Sequence, residues 1–181
     1  VERLFRPQAR DHMLNLVLYA PPPPEGPTGV GKTDFAYRII EKALIEHLPY
    51  GGLEVSSNNH SDPFADVESW TELEEWLEET NGTKAFVWDE AAQVLQYADM
   101  SAGKALSQLI KLLRKYNCHL ILIAHTGKDV PKDVRRMVLF CQKESKTEAT
   151  IGAGLEENAS GWMEIRDEMV ELENIDATSI E

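Results

Sequence analysis

Gly26-Pro27-Thr28-Gly29-Val30-Gly31-Lys32-Thr33 matches the pattern G-x-x-x-x-G-K-[ST] at every defined position. Glycines at 29 and 31 let the backbone curl so that successive N–H groups point inward at a multiply charged anion. A helix starting directly behind them adds its positive end. In such a loop Lys32 reaches the β- and γ-phosphates of a nucleotide and the Thr33 hydroxyl is offered to magnesium, with Gly26 to Val30 wrapping the phosphates. The pattern also occurs in unrelated loops, so its flanks decide. Leu14-Asn15-Leu16-Val17-Leu18-Tyr19-Ala20 reads as a buried strand stopped by Pro21-Pro22-Pro23-Pro24. Asp34 to Leu48 places Phe35, Ile39, Ile40 and Leu44 at the spacing of a helix packed on a sheet. Strand, loop and helix follow in the order a phosphate site requires. One departure is the segment Pro21 to Glu25, because a strand of this kind normally runs almost directly into its loop. Four prolines impose an extended path without N–H donors, and leave open whether the strand ends later or the loop is entered unusually.

Outward from this unit, Leu53 to Ser57 reads as a second strand and Asn58 to Phe64 as a polar loop. Ser69, with Glu72 three residues on, is an N-cap signature for a helix carrying Trp70, Leu73, Trp76 and Leu77 on one face and ending at Asn81-Gly82. Ala85-Phe86-Val87-Trp88 is a short apolar strand, and Ala91 to Asp99 and Ala102 to Tyr116 are expected to be helical. Cys118 to Ala124 is almost wholly apolar, as a central parallel strand covered on both faces must be. Met137 to Gln142 follows as a strand, then Glu148 to Ile151 and Trp162 to Leu172 as later strands or a hairpin, and Glu171 to Glu181 is expected to be loose. Strands alternating with helices predict an α/β fold with a doubly wound, mainly parallel sheet and a small C-terminal β hairpin. It is read as one domain over 1–181, with its core at about 14–146 and an extension at 147–181.

Two acids follow the apolar strand at 85–88. Asp89 is placed to hold magnesium through its water shell, and Glu90 to take a proton from an attacking water, which a hydrolase needs and a small-molecule kinase does not. The competing reading is a strand that ends in two solvated acids. His125 closes the next apolar strand, where a polar side chain can touch both a γ-phosphate and the lytic water; a satisfied strand-end histidine is the alternative. His12, His47, His60 and His119 have no such placement.

Hydrophobic residues make up 43% of the 181 and charged residues 27%, the balance of a soluble globular protein. No apolar run approaches the ~18 residues of a membrane span, and the N-terminus lacks the layout of a secretory signal, so a cytoplasmic location is expected. Cys118 and Cys141, the two cysteines, read as core thiols. The net charge of −13 argues against a polyanionic partner, but its distribution does not. Between Lys104 and Lys146 ten basic residues face three acids, a local balance of +7 that leaves −20 on the remainder. Lys104, Gln108, Lys111 and Lys115 form one polar stripe of the 102–116 helix and can follow a phosphate backbone. Arg114, Arg135 and Arg136 are candidates for a finger acting on a neighbouring subunit's nucleotide, each with an ordinary surface role as the alternative.

The combination of GPTGVGKT, VWDEA and LILIAH followed by a basic RR-containing segment resembles the FtsK/HerA group of P-loop motor ATPases, most closely its compact viral and archaeal genome-packaging members. The likeness spans roughly Leu14 to Lys146. It implies a RecA/FtsK-like P-loop fold, ATP and Mg2+ as ligands, and Lys32 and Thr33 on phosphate and magnesium. It also implies Asp89 on magnesium, Glu90 as general base and His125 as sensor where the group often has an amide; of the three arginines above, Arg136 is taken as the catalytic candidate. It further implies a homo-oligomer, usually a hexameric ring, that pulls double-stranded DNA through its pore, with a capsid or host protein as partner, in a host cytoplasm or a virion. Two other readings stand beside it: a small-molecule or nucleotide kinase, and a nucleotide-dependent interaction module without motor activity. A GTPase of the usual kind is disfavoured, since no Asn-Lys-x-Asp motif is present.

Overall fold

The computed structural model describes residues 13–22, 29–59, 63–90 and 102–180. Parallel strands β1 (Asn15–Tyr19), β2 (Glu54–Ser57), β3 (Ala65–Asp66), β4 (Lys84–Trp88), β5 (Cys118–Ile123) and β6 (Leu139–Lys143) form most of one eight-stranded sheet. Strands β7 (Ala149–Glu157) and β8 (Met163–Leu172) extend the sheet antiparallel, giving the order β3-β2-β4-β5-β1-β6-β7-β8. The expected doubly wound, mainly parallel sheet is present. The C-terminal hairpin continues it.

Burial explains the composition of each strand. β4 and β5 are buried at every position, and in β1 only Asn15 is partly exposed. One face carries helix α1 (Lys32–His47), which packs Phe35, Ile39 and Ile40 on Leu16, Leu18, Val87 and Ile121. The other face carries α2 (Trp70–Glu79) and α3 (Ala102–Lys115), whose Leu73, Leu77, Leu106, Leu109 and Leu113 cover Val17, Phe86, Leu120 and Phe140. Cys118 and Cys141 are both buried free thiols, and burial pushes the Cys141 thiol up to about 12.

Local rules placed most element ends. The Ser69 side chain accepts from the Glu72 N–H at 3.2 Å, as the N-cap signature requires, but the Glu72 carboxylate takes the Glu68 N–H at 2.7 Å, one residue outside the expected box. Helix α1 begins two residues before Asp34 because Gly31, left-handed at φ 73°, already turns the chain into it. Met137 lies in a 3-10 turn (Arg135–Met137), so β6 starts at Leu139. The two-residue β3 was not anticipated. The helix expected at 91–99 lies outside the described residues.

Two departures matter for the site. β7 and β8 are long, and β6 pairs only with the first part of β7, Ala149 to Gly152. At the Ile151/Gly152 bulge the ribbon bends back over the α3-side face, where Leu155 and Ile165 join Val130 and Val134. The bend is tight: a Cβ on Gly152 would lie 2.3 Å from the Asp167 carbonyl oxygen and 2.4 Å from Ile165 Cγ2. Secondly, the tail expected to be loose is docked. Ile175 N–H donates to the Thr147 carbonyl, Thr178 N–H to Asp34, and the Ser179 hydroxyl to Glu41, with Ile175 and Ile180 packed against the α1-side core. Apolar anchors every few residues within an acidic stretch escaped a reading based on charge.

At the opposite end of the sheet, the Leu14 N–H donates to His119 Nδ1 at 3.0 Å, beside His47 at 6.0 Å between ring centroids. Burial, helped by His47, lowers the His119 pKa to about 4. The folded state therefore refuses a proton that the unfolded chain accepts, so stability is lost as pH falls from about 6.5 towards 4, by roughly 3 kcal/mol in full. Thermal unfolding as a function of pH should show this loss in the wild type and a shallower dependence in His119→Gln. Gly152→Ala should lower the melting temperature by roughly 3–10 °C, since relieving the overlap requires shifting the paired strand.

Candidate active site

All the parallel strands end at one edge, so the segments after β1, β4 and β5 meet there. From β1 it passes through α1 to β2 on the far side of β4 and β5, while β6 lies on β1's other flank, so β1 marks the point where the winding changes direction. In open α/β sheets this is where ligands bind.

β1 stops at Tyr19, with Pro21 buried and Pro22 half-buried after it, so the strand does not extend into the proline run. Pro23, Pro24, Gly26, Pro27 and Thr28 lie outside the described residues. Gly29 and Gly31 are both left-handed, at φ 70° and 73°, a conformation that glycine adopts without steric cost and that turns the loop sharply into α1. The Gly31 carbonyl accepts from Phe35 at 2.9 Å and, among the described residues, no side chain caps α1, so its first N–H groups can serve an anion. Ala20, Pro21, Pro22, Gly29 to Asp34, His125 and Thr126 line a cleft of about 560 Å3 over this turn.

Lys32 reaches across the cleft and donates to the Ala124 carbonyl at 2.9 Å and more weakly to that of His125 at 3.4 Å. Burial lowers its pKa from the ordinary lysine value, while Asp89 and Asp129 pull it back up. Thr33 Oγ1 donates to Asp89 Oδ2 at 3.1 Å, joining the loop after β1 to the end of β4 across 56 residues of sequence. Asp89 Oδ1 accepts the Glu90 N–H at 2.9 Å. Glu90 is exposed and has φ 61°, a conformation that costs a residue with a side chain of order 1–3 kcal/mol and that clusters at functional sites. His125 is exposed on the lip of the cleft. Beside it Thr126 and Asp129 close a reciprocal capping box, the Thr126 N–H donating to Asp129 at 2.8 Å, which holds the 3-10 turn Gly127–Asp129.

Asn58, unnoticed in sequence, clamps this arrangement. Its side-chain oxygen accepts from the Asp89 N–H at 2.7 Å and its amide donates to the Asp89 carbonyl at 2.9 Å, so both sides of that residue's backbone are held from the end of β2. Only the pairing of β2 with β4 could have revealed it. One hydroxyl and one carboxylate, Thr33 and Asp89, are oxygen donors suited to Mg2+, which takes few protein ligands and completes its shell with water and phosphate. Among the described residues no group of three or more His, Cys, Asp or Glu is gathered to hold a metal unaided.

The remaining candidates lie on the α3 face. Lys104, Ser107, Gln108 and Lys111 of α3 border a groove of about 600 Å3 whose other wall is Asp133, Val134, Arg136 and Met137. Arg136 stands just ahead of β6, at the amino end of the strands and away from the cleft. Lys115 turns elsewhere, donating to the Tyr116 hydroxyl at 3.1 Å, which donates in turn to Glu78. Arg135 donates to the Val130 carbonyl, Lys128 pairs with Glu157 at 2.8 Å, and Lys143 is fully buried over the Phe35 ring. Of the ten cations counted in the sequence, three converge on the groove.

No family model matches the chain, and no curated protein matches it in sequence. Solved structures do. The cytoplasmic domain of the type VII secretion ATPase EccC of Thermomonospora curvata overlaps 92% of this chain and 24% of its own, with a TM-score of 0.52 at 10% identity. The N-terminal domain of zonular occludens toxin from Neisseria meningitidis overlaps 87% of this chain and 96% of its own, with a TM-score of 0.52 at 12% identity. The genome packaging NTPase B204 of Sulfolobus turreted icosahedral virus 2 overlaps less closely, with a TM-score of 0.49 at 12% identity over 90% of this chain and 100% of its own. This chain thus spans about a quarter of the EccC cytoplasmic domain. The first two likenesses show the fold, and it is the one that the resemblance to FtsK/HerA-type ATPases implied.

Asn58→Ala should leave the fold in place and weaken magnesium-dependent nucleotide binding by roughly 10-fold, the usual size of effect for a residue that orients a metal ligand. Titration of ATP with and without Mg2+ checks this, and metal-free binding should not change.

Proposed function

We propose that this chain is an ATPase that hydrolyses ATP with Mg2+ and, as a ring-shaped homo-oligomer, moves or packages double-stranded DNA. The observation that carries hydrolysis is the Thr33–Asp89 hydrogen bond at 3.1 Å, because it brings the residue pair suited to magnesium to the mouth of the glycine turn. Thr33 and Asp89 would hold the ion, which when bound offsets charge on the β- and γ-phosphates. The free N–H groups at the start of α1 and the Lys32 ammonium stabilise the same negative charge, Lys32 exchanging its carbonyl partners at Ala124 and His125 for phosphate oxygens. A water attacks the γ-phosphorus, the bond to the β,γ-bridging oxygen breaks, and ADP and phosphate leave. In this reading a Glu90 carboxylate oxygen takes the proton from that water and His125 contacts the γ-phosphate side of the cleft.

The motor half of the proposal rests on the groove. Lys104, Lys111 and Arg136 converge there with one acid, Asp133, on a chain that is otherwise acidic, an arrangement suited to a phosphate backbone. Arg136 is remote from its own cleft, so a catalytic role for it requires a neighbouring subunit, consistent with a hexameric ring. A capsid or host protein would be the further partner. Among the described residues no helix is long and apolar enough to cross a membrane.

Glu90→Gln should bind ATP but turn it over 100-fold or more slowly, within the range for a lost general base. Duplex DNA should raise wild-type turnover. In Lys104→Glu/Lys111→Glu that stimulation should vanish, and the salt dependence of DNA binding should flatten by about two units of log–log slope. DNA-independent turnover by a stable monomer would defeat the motor reading. Phosphoryl transfer to a small acceptor would replace it with a kinase, and tight binding without turnover with an interaction module.

A further inference from the structure

A second, smaller opening adjoins the phosphate cleft. Tyr19, Ala20, Pro22, Thr126, Gly127, Lys128, Gly161, Trp162 and Met163 line a slot of about 120 Å3. It shares Ala20, Pro22 and Thr126 with the cleft, so the two openings are neighbours. Their chemistry differs. The cleft has Lys32, Thr33 and a helix start, whereas the slot sets Trp162 and Met163 beside Tyr19, Thr126 and Lys128. A closed cavity of about 150 Å3 takes a single aromatic ring, so this open slot of about 120 Å3 can seat part of a ring system against its wall and has no room for a peptide or a nucleic-acid strand.

The far wall is built with care. The tip of the β7–β8 ribbon is tied by Asn158, whose side-chain oxygen accepts from the Ser160 N–H at 3.0 Å and the Trp162 N–H at 3.2 Å. The Asn158 N–H in turn donates to the Trp162 carbonyl at 2.9 Å. The ribbon is seated directly on the 3-10 turn after His125: a Cβ on Gly127 would lie 2.8 Å from Met163 Cβ, and Lys128 reaches Glu157 at 2.8 Å. Trp162 is half-buried, which leaves part of its ring free to meet a ligand.

We propose that this slot receives the heteroaromatic base of the nucleoside triphosphate, with Trp162 as its stacking wall. The inference rests on the ATPase reading and adds to it which end of the nucleotide the C-terminal ribbon holds. An aromatic face recognises any base by its π surface, and the larger purine ring gains more from it than a pyrimidine. The slot's polar side chains are few, and Lys128 is engaged with Glu157. Selection is therefore by stacking area, and ATP and GTP bind more tightly than CTP and UTP.

Equilibrium binding of ATP and of inorganic tripolyphosphate, each with Mg2+, to the wild type, Trp162→Ala and Trp162→Phe tests this. The expected result is a loss of roughly 10- to 100-fold for ATP in Trp162→Ala, unchanged tripolyphosphate affinity, and recovery of most ATP affinity in Trp162→Phe. Equal losses for both ligands would mean that Trp162 only supports the loop, and would overturn the proposal. So would an unchanged ATP affinity, or a wild type that binds tripolyphosphate as tightly as ATP. The last result would leave the phosphate site standing. A wild type that binds neither ligand would overturn the ATPase reading itself.

Discussion

Parallel strands have no short way back, so the chain must recross the sheet between each of β1 to β6 and the next, and all six end at the same edge. Everything at the site depends on this constraint. Because α1 covers one face and α2 and α3 the other, β4 and β5 are buried throughout and can be almost wholly apolar. The polar residues that follow them, Asp89 and His125, are delivered to the common edge beside Lys32 and Thr33. No separate device is needed to bring together groups that are 56 and 93 residues apart.

Within that edge the side chains hold one another in place. Lys32 is parked on the carbonyls that end β5, Thr33 on Asp89, and Asp89 between Asn58 and the Glu90 N–H. Under the proposed function, such pre-organisation would lower the cost of orienting the groups around a triphosphate. Glu90 carries the cost locally, in a left-handed conformation directly after the strand.

The basic segment illustrates how charge counts become interfaces only through geometry. A balance of +7 between Lys104 and Lys146 suggests a broad cationic surface. Folded, the cations separate by role: Lys143 is buried, Arg135 supports a loop, Lys115 joins Tyr116 and Glu78, and Lys128 fastens the ribbon to Glu157. Lys104, Lys111 and Arg136 alone gather at one groove. Surface ion pairs such as Lys128–Glu157 contribute little to stability, and this one lies where the ribbon meets the turn after β5.

Local chemistry made much of this legible in advance. The glycine turn, the apolar strands and the Ser69 cap each depend on a few adjacent residues, and each formed where its pattern stood, within a few residues. Asp89 and Glu90 could be singled out because a strand followed by two acids is a local signal. What local signals could not carry were pairings between distant segments. Asn58 acquires its role only because β2 lies beside β4, and Trp162 its place only because the ribbon bends at Gly152 and returns to β1. The tail, read as loose from its acids, is held by Ile175 and Ile180 on a core it meets only after folding. The sequence by itself determined the elements and the glycine turn, since both follow from backbone sterics and apolar periodicity. Which side chains surround that turn was decided by strand order and by one bend, because contacts across long separations depend on packing that no short stretch encodes.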